Sequence, residues 1–497
     1  MDPIVAVGTR LSYDLELCTV RYVGRIPPWS VTAYGVEWDD PKRGKHDGTL
    51  AGVRYFNCAH PTAGSFVKST KKPDPVRSFE DAMLEKYLKD TDDTSIFIRV
   101  SSSKVMETYG ADKIRVRQAQ LDKLGTAFLI KLGITDLPAN TLNLASLRHL
   151  NLGYNLFTSI KTVLQICMTL PVLDTLVLNG NRFADHELGN EGPVPGVKEL
   201  SLSYTLVDHN VLGIWATAFP NTEILTLAYN SFVKGDEFDL TAFAHLQTLD
   251  LSYNALVSIP RALPASVTQV TLSHNQLERL PATSFPSVDA VDLSYNQVAS
   301  WDVVDKLHLV FPNATELRVN ANQLPIANPK SAEELQQLQF IYTLARWGGK
   351  ARLAKLDGMA VSKQEQTDAD LYFIGKVATG EIEYDRSSLR WAALTETYGA
   401  ALTTPAEAQN TSLASKLVEL HVQYDGETRP LKVLKTATVK KLKAMIARAF
   451  KIRSALPQNL KLQYTQPGTG QSYAIDDEFM AVSYYNLDSG SIIHVTT

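Results

Sequence analysis

Cysteine is scarce: the 497 residues hold three, Cys18, Cys58 and Cys167, far apart in the chain. That spacing argues against a disulfide framework and against a Cys-x-x-Cys metal site. Cys58 reads as a small buried hydrophobe rather than a nucleophile. Long apolar runs are missing too, and nothing approaches the ~20 residues that a membrane-spanning helix needs. The opening MDPIVAVGTRL lacks a basic segment followed by an apolar run, so no secretory signal is expected and the protein reads as cytosolic. No Lys/Arg stripe with interleaved aromatics is present, which removes nucleic acid from the expected partners. Sustained heptads are absent, so no coiled coil is expected. Enzyme signatures fail on inspection. Gly348-Gly349-Lys350-Ala351 lacks the upstream glycine and the Ser/Thr of a phosphate-binding loop. His186-Glu187 has no second histidine in the zinc-protease position, and His46 has no second ligand at a useful spacing. A non-enzymatic protein without metal or cofactor is the expectation.

What is present is uneven along the chain. The length is too great for one hydrophobic core, so about three domains are expected. The net charge of −4 divides into +3 over residues 1–78, −10 over 79–345 and +4 over 415–497, with −1 in between. Two mildly basic ends therefore flank an acidic middle.

The first seventy residues read as short strands separated by turns. Thr19–Val23 and Ala33–Trp38 are β-rich, Asp39-Asp40-Pro41 breaks the second, and Gly44, Gly48, Gly52 and Gly64 punctuate the rest. The middle carries an internal repeat. Leu147-x-x-Leu150-x-Leu152-x-x-Asn155 recurs with ends at 181, 205, 230, 254, 275, 296 and 322, a period of 21 to 26 residues, after a degenerate copy from Leu124. That is the leucine-rich-repeat period. Each unit supplies one short strand whose leucines point into a shared core, and the asparagine amide satisfies backbone groups that the solenoid buries. Tyr154, Tyr204, Tyr229, Tyr253, His274 and Tyr295 precede the ladder position. Residues one period apart stack, so these rings form a stripe at one edge of the concave face, either a protein interface or a solvated consensus position. Asp250 and Asp292, with Ser252 and Ser294 beside them, make that face open and mildly acidic, suited to a large partner.

From Ser331 the repeat stops. Glu333 to Leu356 reads as an amphipathic helix that caps the solenoid, with Leu335, Leu338, Ile341, Tyr342, Leu344 and Ala345 at helical spacing. Residues 400–414, small, polar and interrupted by a proline, read as a linker. Beyond it, two β-rich runs flank Asp425-Gly426, Thr438 caps a helix with Val439, Leu442, Met445, Ile446 and Phe450 on one face, and two more strands follow. A ββαββ order of this size is a ubiquitin-like roll. It ends His494-Val495-Thr496-Thr497 without Gly-Gly, so covalent conjugation is not expected.

Residues 19–68 resemble a CAP-Gly domain through TVRYVG (19–24), YGVEWDDP (34–41), GKHDG (44–48), YFNC (55–58) and GSFV (64–67). Two positions depart from that pattern: Cys18 stands where glycine is commoner, and His46 where asparagine is. The histidine is similar to what cofactor E proteins carry. The whole order resembles the tubulin-specific chaperone E (tubulin-folding cofactor E) family, and FEDAMLEKYL (79–88) through Tyr109-Gly110 and Gln118–Leu121 looks like that family's connector. The expected fold is multidomain: a small all-β CAP-Gly barrel (1–78), a connector (79–120), an α/β leucine-rich-repeat solenoid (121–327) with a helical cap (328–399), the linker, and an α+β ubiquitin-like roll (415–497).

The resemblance implies a cytoplasmic, cytoskeleton-associated chaperone that binds α-tubulin. It would act with cofactor B, and also C and D, in assembly and dissociation of the α/β heterodimer. CAP-Gly domains take acidic tails ending in an aromatic residue, and the expected tail site is Gly44, Lys45, His46, Asp47, Gly48, Tyr34, Trp38, Phe56 and Phe66. Two alternatives are a microtubule-associated CAP-Gly adaptor and a ubiquitin-pathway adaptor that docks on the proteasome. No membrane partner is expected.

Overall fold

The computed structural model describes residues 5–88, 98–101, 104–106, 120–136, 142–399, 417–452, 456–465, 472–485, 487 and 489–496. The 400–414 linker lies outside the described residues, as does most of the 79–120 connector. The chain forms two compact units, Met1–Val288 and Asp289–Thr497.

In the first unit, β1 (Arg10–Tyr13), β2 (Glu16–Gly24), β3 (Ala33–Trp38) and β6 (Gly64–Lys68) form an antiparallel sheet in that order, with β4 (Thr49–Leu50) and β5 (Val53–Arg54) as a side hairpin. Alternation puts Leu11, Tyr13, Cys18, Val20, Val36, Trp38 and Val67 into one core. Cys18 lies inside β2, opposite Leu11 and Trp38. The tight turn before it is made by Asp14 and Leu15, at φ 58° and 64°, so the turn needs no glycine at position 18. Burial pushes the Cys18 thiol up to about 12, which leaves it inert.

The chain leaves this domain through β7 (Arg77–Ser78) and α1 (Phe79–Tyr87), whose N-cap Ser78 hydroxyl accepts from Asp81 N–H. A short hairpin, β8 (Ile98–Ser101) and β9 (Lys104–Met106), follows.

The repeats lay down β10 (Thr126–Phe128), β12 (His149–Asn151), β13 (Thr175–Val177), β14 (Glu199–Ser201), β15 (Ile224–Thr226), β16 (Thr248–Asp250) and β17 (Gln269–Thr271), all parallel and in register. Their central residues, among them Ala127, Leu150, Leu176, Leu200, Leu225 and Leu249, are fully or almost fully buried. Helices α2 (Ile160–Met168) and α3 (Leu212–Ala218) occupy two of the connections. Between β10 and β12, β11 (Ile134–Asp136) pairs in parallel with β7.

The ladder asparagines do what the repeat predicts. Asn254 Oδ1 accepts from Asn230 and Phe232 N–H at 2.8 and 3.2 Å, while its amide donates to the carbonyls of Leu227 and Leu251 at 3.1 and 2.9 Å. Asn155, Asn181, Asn230 and Asn275 repeat the pattern. At Thr205 only a hydroxyl is available, and it donates to the Leu202 carbonyl.

The second unit opens with β18 (Ala290–Asp292), α4 (Trp301–Val310) and β19 (Glu316–Arg318). Helix α5 (Ala332–Arg346) follows; β20 (Lys355–Leu356) then pairs in parallel with β19, and β21 (Met359–Ala360) returns antiparallel. The helix expected to reach Leu356 therefore ends at Arg346. Gly348 and Gly349 follow at once and have little helical propensity, and Lys355–Leu356 is taken into the sheet. Helices α6 (Lys363–Ala378) and α7 (Leu389–Tyr398) complete the cap. Arg346 fixes their packing: almost wholly buried, it pairs with Asp305 at 2.7 Å and lies over the rings of Trp301, Phe373 and Tyr384.

The last fold has the sheet order β23-β22-β26-β24-β25, from β22 (Leu417–Tyr424), β23 (Glu427–Leu434), β24 (Lys461–Thr465), β25 (Ser472–Ala474) and β26 (Ile492–Thr496). Strands β22 and β26 are parallel, and the hairpin turn at Asp425-Gly426 has φ 50° and 77°. With α8 (Val439–Ala449), this is the ubiquitin-like roll. Met445 and Phe450 are only half-buried, and Lys443 is buried, its ammonium 3.1 Å from Glu478. The roll does not stand apart from the cap. Tyr484 meets Tyr372 at 4.9 Å between ring centroids, and Gln364 donates to the Ala474 carbonyl at 3.2 Å.

Candidate peptide-binding site

The GKHDG loop is clamped against the start of β6. Lys45 N–H donates to the Gly64 carbonyl at 2.7 Å, and Gly64 N–H donates to the His46 carbonyl at 2.7 Å. A Cβ on Gly44 would fall 2.1 Å from the Thr62 carbonyl oxygen, and Gly48, at φ 97°, would bring one 2.0 Å from the Phe56 oxygen. No other residue fits at either place. The His46 ring lies 5.0 Å from Phe66 and 6.1 Å from Phe56. Its Nδ1 accepts from Gly48 N–H, and burial holds the imidazole below its ordinary pKa.

Beside the loop is a hollow of about 420 Å³ lined by Arg43, Lys45, Lys68 and Lys71, by the rings of Trp29, Trp38 and Phe66, and by His46. Among the described residues, no carboxylate lines it. The Arg43 guanidinium sits 4.7 Å from the Trp38 ring centre and Lys68 Nζ 5.2 Å from that of Trp29. Arg43, Lys45 and Lys68, with Lys71, which also pairs with Asp14 at 3.0 Å, put positive charge beside an aromatic floor, an arrangement suited to an anionic chain that carries a ring.

Of the residues expected at the site, Lys45, His46, Trp38 and Phe66 meet in this hollow. Gly44 and Gly48 shape the loop. Phe56 is buried beneath it, edge-on to Phe66 at 5.4 Å. Asp47 turns to Arg54 at 2.6 Å and to the Thr49 N–H, whose hydrogen bonds hold its carboxyl below the usual range. Tyr34 packs on the domain core. Sequence reasoning missed Trp29, Arg43, Lys68 and Lys71. The run Lys68, Lys71, Lys72 after the last strand was the signal, but only the sheet brings it beside Lys45.

The second feature lies on the solenoid. Tyr154, Tyr204, Tyr229, Tyr253 and His274 all have φ between 53° and 58°, the left-handed region that non-glycine residues seldom enter. Tyr204, Tyr229, Tyr253 and His274 stack at 4.3, 4.4 and 4.0 Å with 9° between planes. Gly180 replaces a ring in the second repeat; a Cβ there would strike the Tyr154 ring at 2.3 Å. Tyr154 leans across that gap to within 6.5 Å of Tyr204. Tyr204 and Tyr253 are more than two-fifths exposed. Asp250 is occupied locally, accepting from Ser252 N–H at 2.8 Å. In the second unit, Tyr295 is exposed with φ 54°, and Asp292 accepts from the N–H and hydroxyl of Ser294.

The CAP-Gly domain family matches residues 7–72, and the leucine-rich-repeat family matches residues 245–265. Protein PAC2 of Saccharomyces cerevisiae is 28% identical over 516 residues, covering 99% of this chain and 96% of its own. Tubulin-specific chaperone E of Xenopus laevis is 26% identical over 98% of this chain and 97% of its own, and that of Danio rerio 28% identical over 99% and 98%. The chain is homologous to tubulin-specific chaperone E along almost its whole length. The relatives therefore span the hollow, the aromatic column and the roll together. Among the described residues, no helix is long and apolar enough to cross a membrane.

Proposed function

We propose that this homologue is a non-catalytic, cytoplasmic tubulin-folding cofactor. Its N-terminal hollow takes the acidic, aromatic-ended tail of α-tubulin, and the aromatic column of its solenoid contacts the folded body. The observation that carries the reading is the hollow itself: four cations, of which Lys71 also pairs with Asp14, and three aromatic rings, with no carboxylate among the described lining residues. A carboxylate-rich tail gains charge–charge attraction there, and its terminal ring finds aromatic partners. The relatives' name supports tubulin as the source of the tail. The ubiquitin-like roll serves as a docking module for other tubulin cofactors, cofactor B foremost, with C and D, in assembling and dissociating the heterodimer. Proteasome docking is the competing use of the roll.

The test is anisotropy with a labelled acidic peptide ending Glu-Glu-Tyr. Lys68→Glu with Lys71→Glu reverses two of the four lining charges and should weaken binding at least tenfold, ~1.4 kcal/mol. Removing the terminal tyrosine should weaken it similarly, and affinity should fall as salt rises. Equal affinity for all these pairs refutes tail binding at the hollow.

A further inference from the structure

Among the described residues, the N-terminal domain and its exit helix meet the solenoid in two regions. One is the seam where β7 runs beside β11, with the Arg77 guanidinium donating to the Leu132 carbonyl at 3.0 Å. The other is a carboxylate shared by two guanidiniums. Asp39, the residue after Trp38, is held at 2.6 Å through both oxygens by Arg10, whose side chain is almost wholly buried in the domain. Its outer oxygen also lies 3.7 Å from Arg182, which belongs to the repeat ending at Asn181. Arg182 Nη1 donates to the carbonyls of Asn181 and Tyr204. Tyr154 lies within the field of Asp39 and Arg182, although burial is the main reason its phenol is pushed up. Asp39 thus joins a strand whose last residue, Trp38, lines the hollow to a side chain that anchors the backbone of the column residue Tyr204.

A body held at one point pivots; held at two, it has an orientation. We infer that Arg182 is a positioning residue that locks the cationic hollow in a fixed place relative to the aromatic column, so that tail and folded body of one partner are gripped together. The inference rests on the tail reading above and adds the device that makes the two contacts one site. Two weak contacts on a rigid frame act at high effective concentration, and that gain is lost when one contact swings free. The pair suits this use because it is a charge attraction in a sheltered place: at 3.7 Å it is longer than a hydrogen bond. Arg182 is largely buried, so its charge needs Asp39. Asp39 in turn is pre-set by Arg10 before the solenoid arrives.

The experiment uses the full chain with two probes, the Glu-Glu-Tyr peptide and native tubulin dimer. Arg182→Gln removes the charge that meets Asp39 and, being shorter, also gives up the Nη1 bonds to the two carbonyls; Asp39→Asn, which leaves those bonds in place, should give the same outcome on both probes. Peptide affinity should stay within twofold of the unsubstituted protein, while affinity for tubulin dimer falls at least tenfold. Tyr229→Ser with Tyr253→Ser should produce the same split. Combining all three changes should cost no more than about twofold beyond Arg182→Gln alone, because the column no longer acts together with the hollow. Arg182→Lys, which keeps the charge, should restore most of the tubulin affinity. Unchanged tubulin binding by Arg182→Gln, or losses that simply multiply in the combined variant, would overturn the inference. Those outcomes leave the tail reading standing if Lys68→Glu with Lys71→Glu still weakens peptide binding at least tenfold. If that variant binds peptide normally, the tail reading and the positioning role fail together.

Discussion

Replacing the ladder residue Asn254 by alanine should weaken the solenoid by an amount the hydrogen bonds define. The amide donates to the Leu227 and Leu251 carbonyls. Those carbonyls keep other donors, Asn230 Nδ2 at 3.0 Å on Leu227 and Asn275 Nδ2 at 3.0 Å on Leu251. The carbonyl side of the loss is therefore small. The acceptor side is different. Asn230 N–H and Phe232 N–H both end on Asn254 Oδ1, and both residues are buried. Leaving a buried donor without an acceptor costs about 1–3 kcal/mol, so two of them put the loss at roughly 2–5 kcal/mol. A long repeat array need not unfold in one step, so the sharper assay is amide hydrogen exchange over residues 224–256 rather than a single melting temperature. Protection of Asn230 and Phe232 should fall most. Gln269→Ala, an exposed strand residue, is the control and should change little. A loss below about 0.5 kcal/mol with those two amides still protected would refute the ladder as a source of stability.

Other outcomes follow from the same geometry. Leu251→Ala removes a fully buried side chain from a central repeat and should cost about 2–5 kcal/mol in denaturant unfolding. Tyr204→Val places a β-branched residue at φ 57° and should destabilise more than Tyr204→Asn, which tolerates that region; melting curves of the two variants rank them. Asp368 on α6 is buried, and burial with the nearby Asp476 and Asp477 pushes its carboxyl up to about 7. Because that exceeds the ~3.9 of an unfolded aspartate, the folded state holds the proton longer, so stability should fall as pH rises from about 4 to 7. Asp368→Asn should flatten that slope, with the gain in melting temperature seen at pH 8 and not at pH 4. Deleting residues 417–497 strips Tyr484 from Tyr372 and the Ala474 carbonyl from Gln364, so the cap should melt earlier while peptide affinity stays within twofold.

The parts of the fold that were legible beforehand are those governed by local repetition. A leucine every few residues and a ladder position every 21 to 26, asparagine at all but Thr205, specify the solenoid because each turn meets only its neighbours. Turn chemistry at Asp425-Gly426 announced the roll in the same way. The end of α5 was misjudged because apolar spacing continues past Gly348-Gly349, where backbone freedom breaks the helix. In the hollow, the glycine loop betrayed itself, but Trp29 and Lys71 approach Lys45 only after β3 and β6 have paired. The pairing of Asp47 with Arg54 likewise appears in no linear reading, because only the side hairpin folds Arg54 back onto it. The contact of Asp39 with Arg182 joins residues far apart in the chain, and no period or motif points to it.

Thr205 has a mechanical consequence. Repeats stacked end to end behave as springs in series, and the stack bends where its stiffness is least. At 155, 181, 230, 254, 275 and 322 an asparagine reaches its own turn and the one before, as Asn230 does by donating to Leu202 and Leu227. Thr205 reaches one carbonyl, that of its own turn. The turns on either side of it are bridged instead by Arg182, which donates to Asn181 and Tyr204. Asn230 ties Thr205 to the turn that follows, so the joint on its other side depends on the same guanidinium that meets Asp39. A load that Arg182 carries from the N-terminal domain is therefore passed directly to the turn that lacks a ladder asparagine.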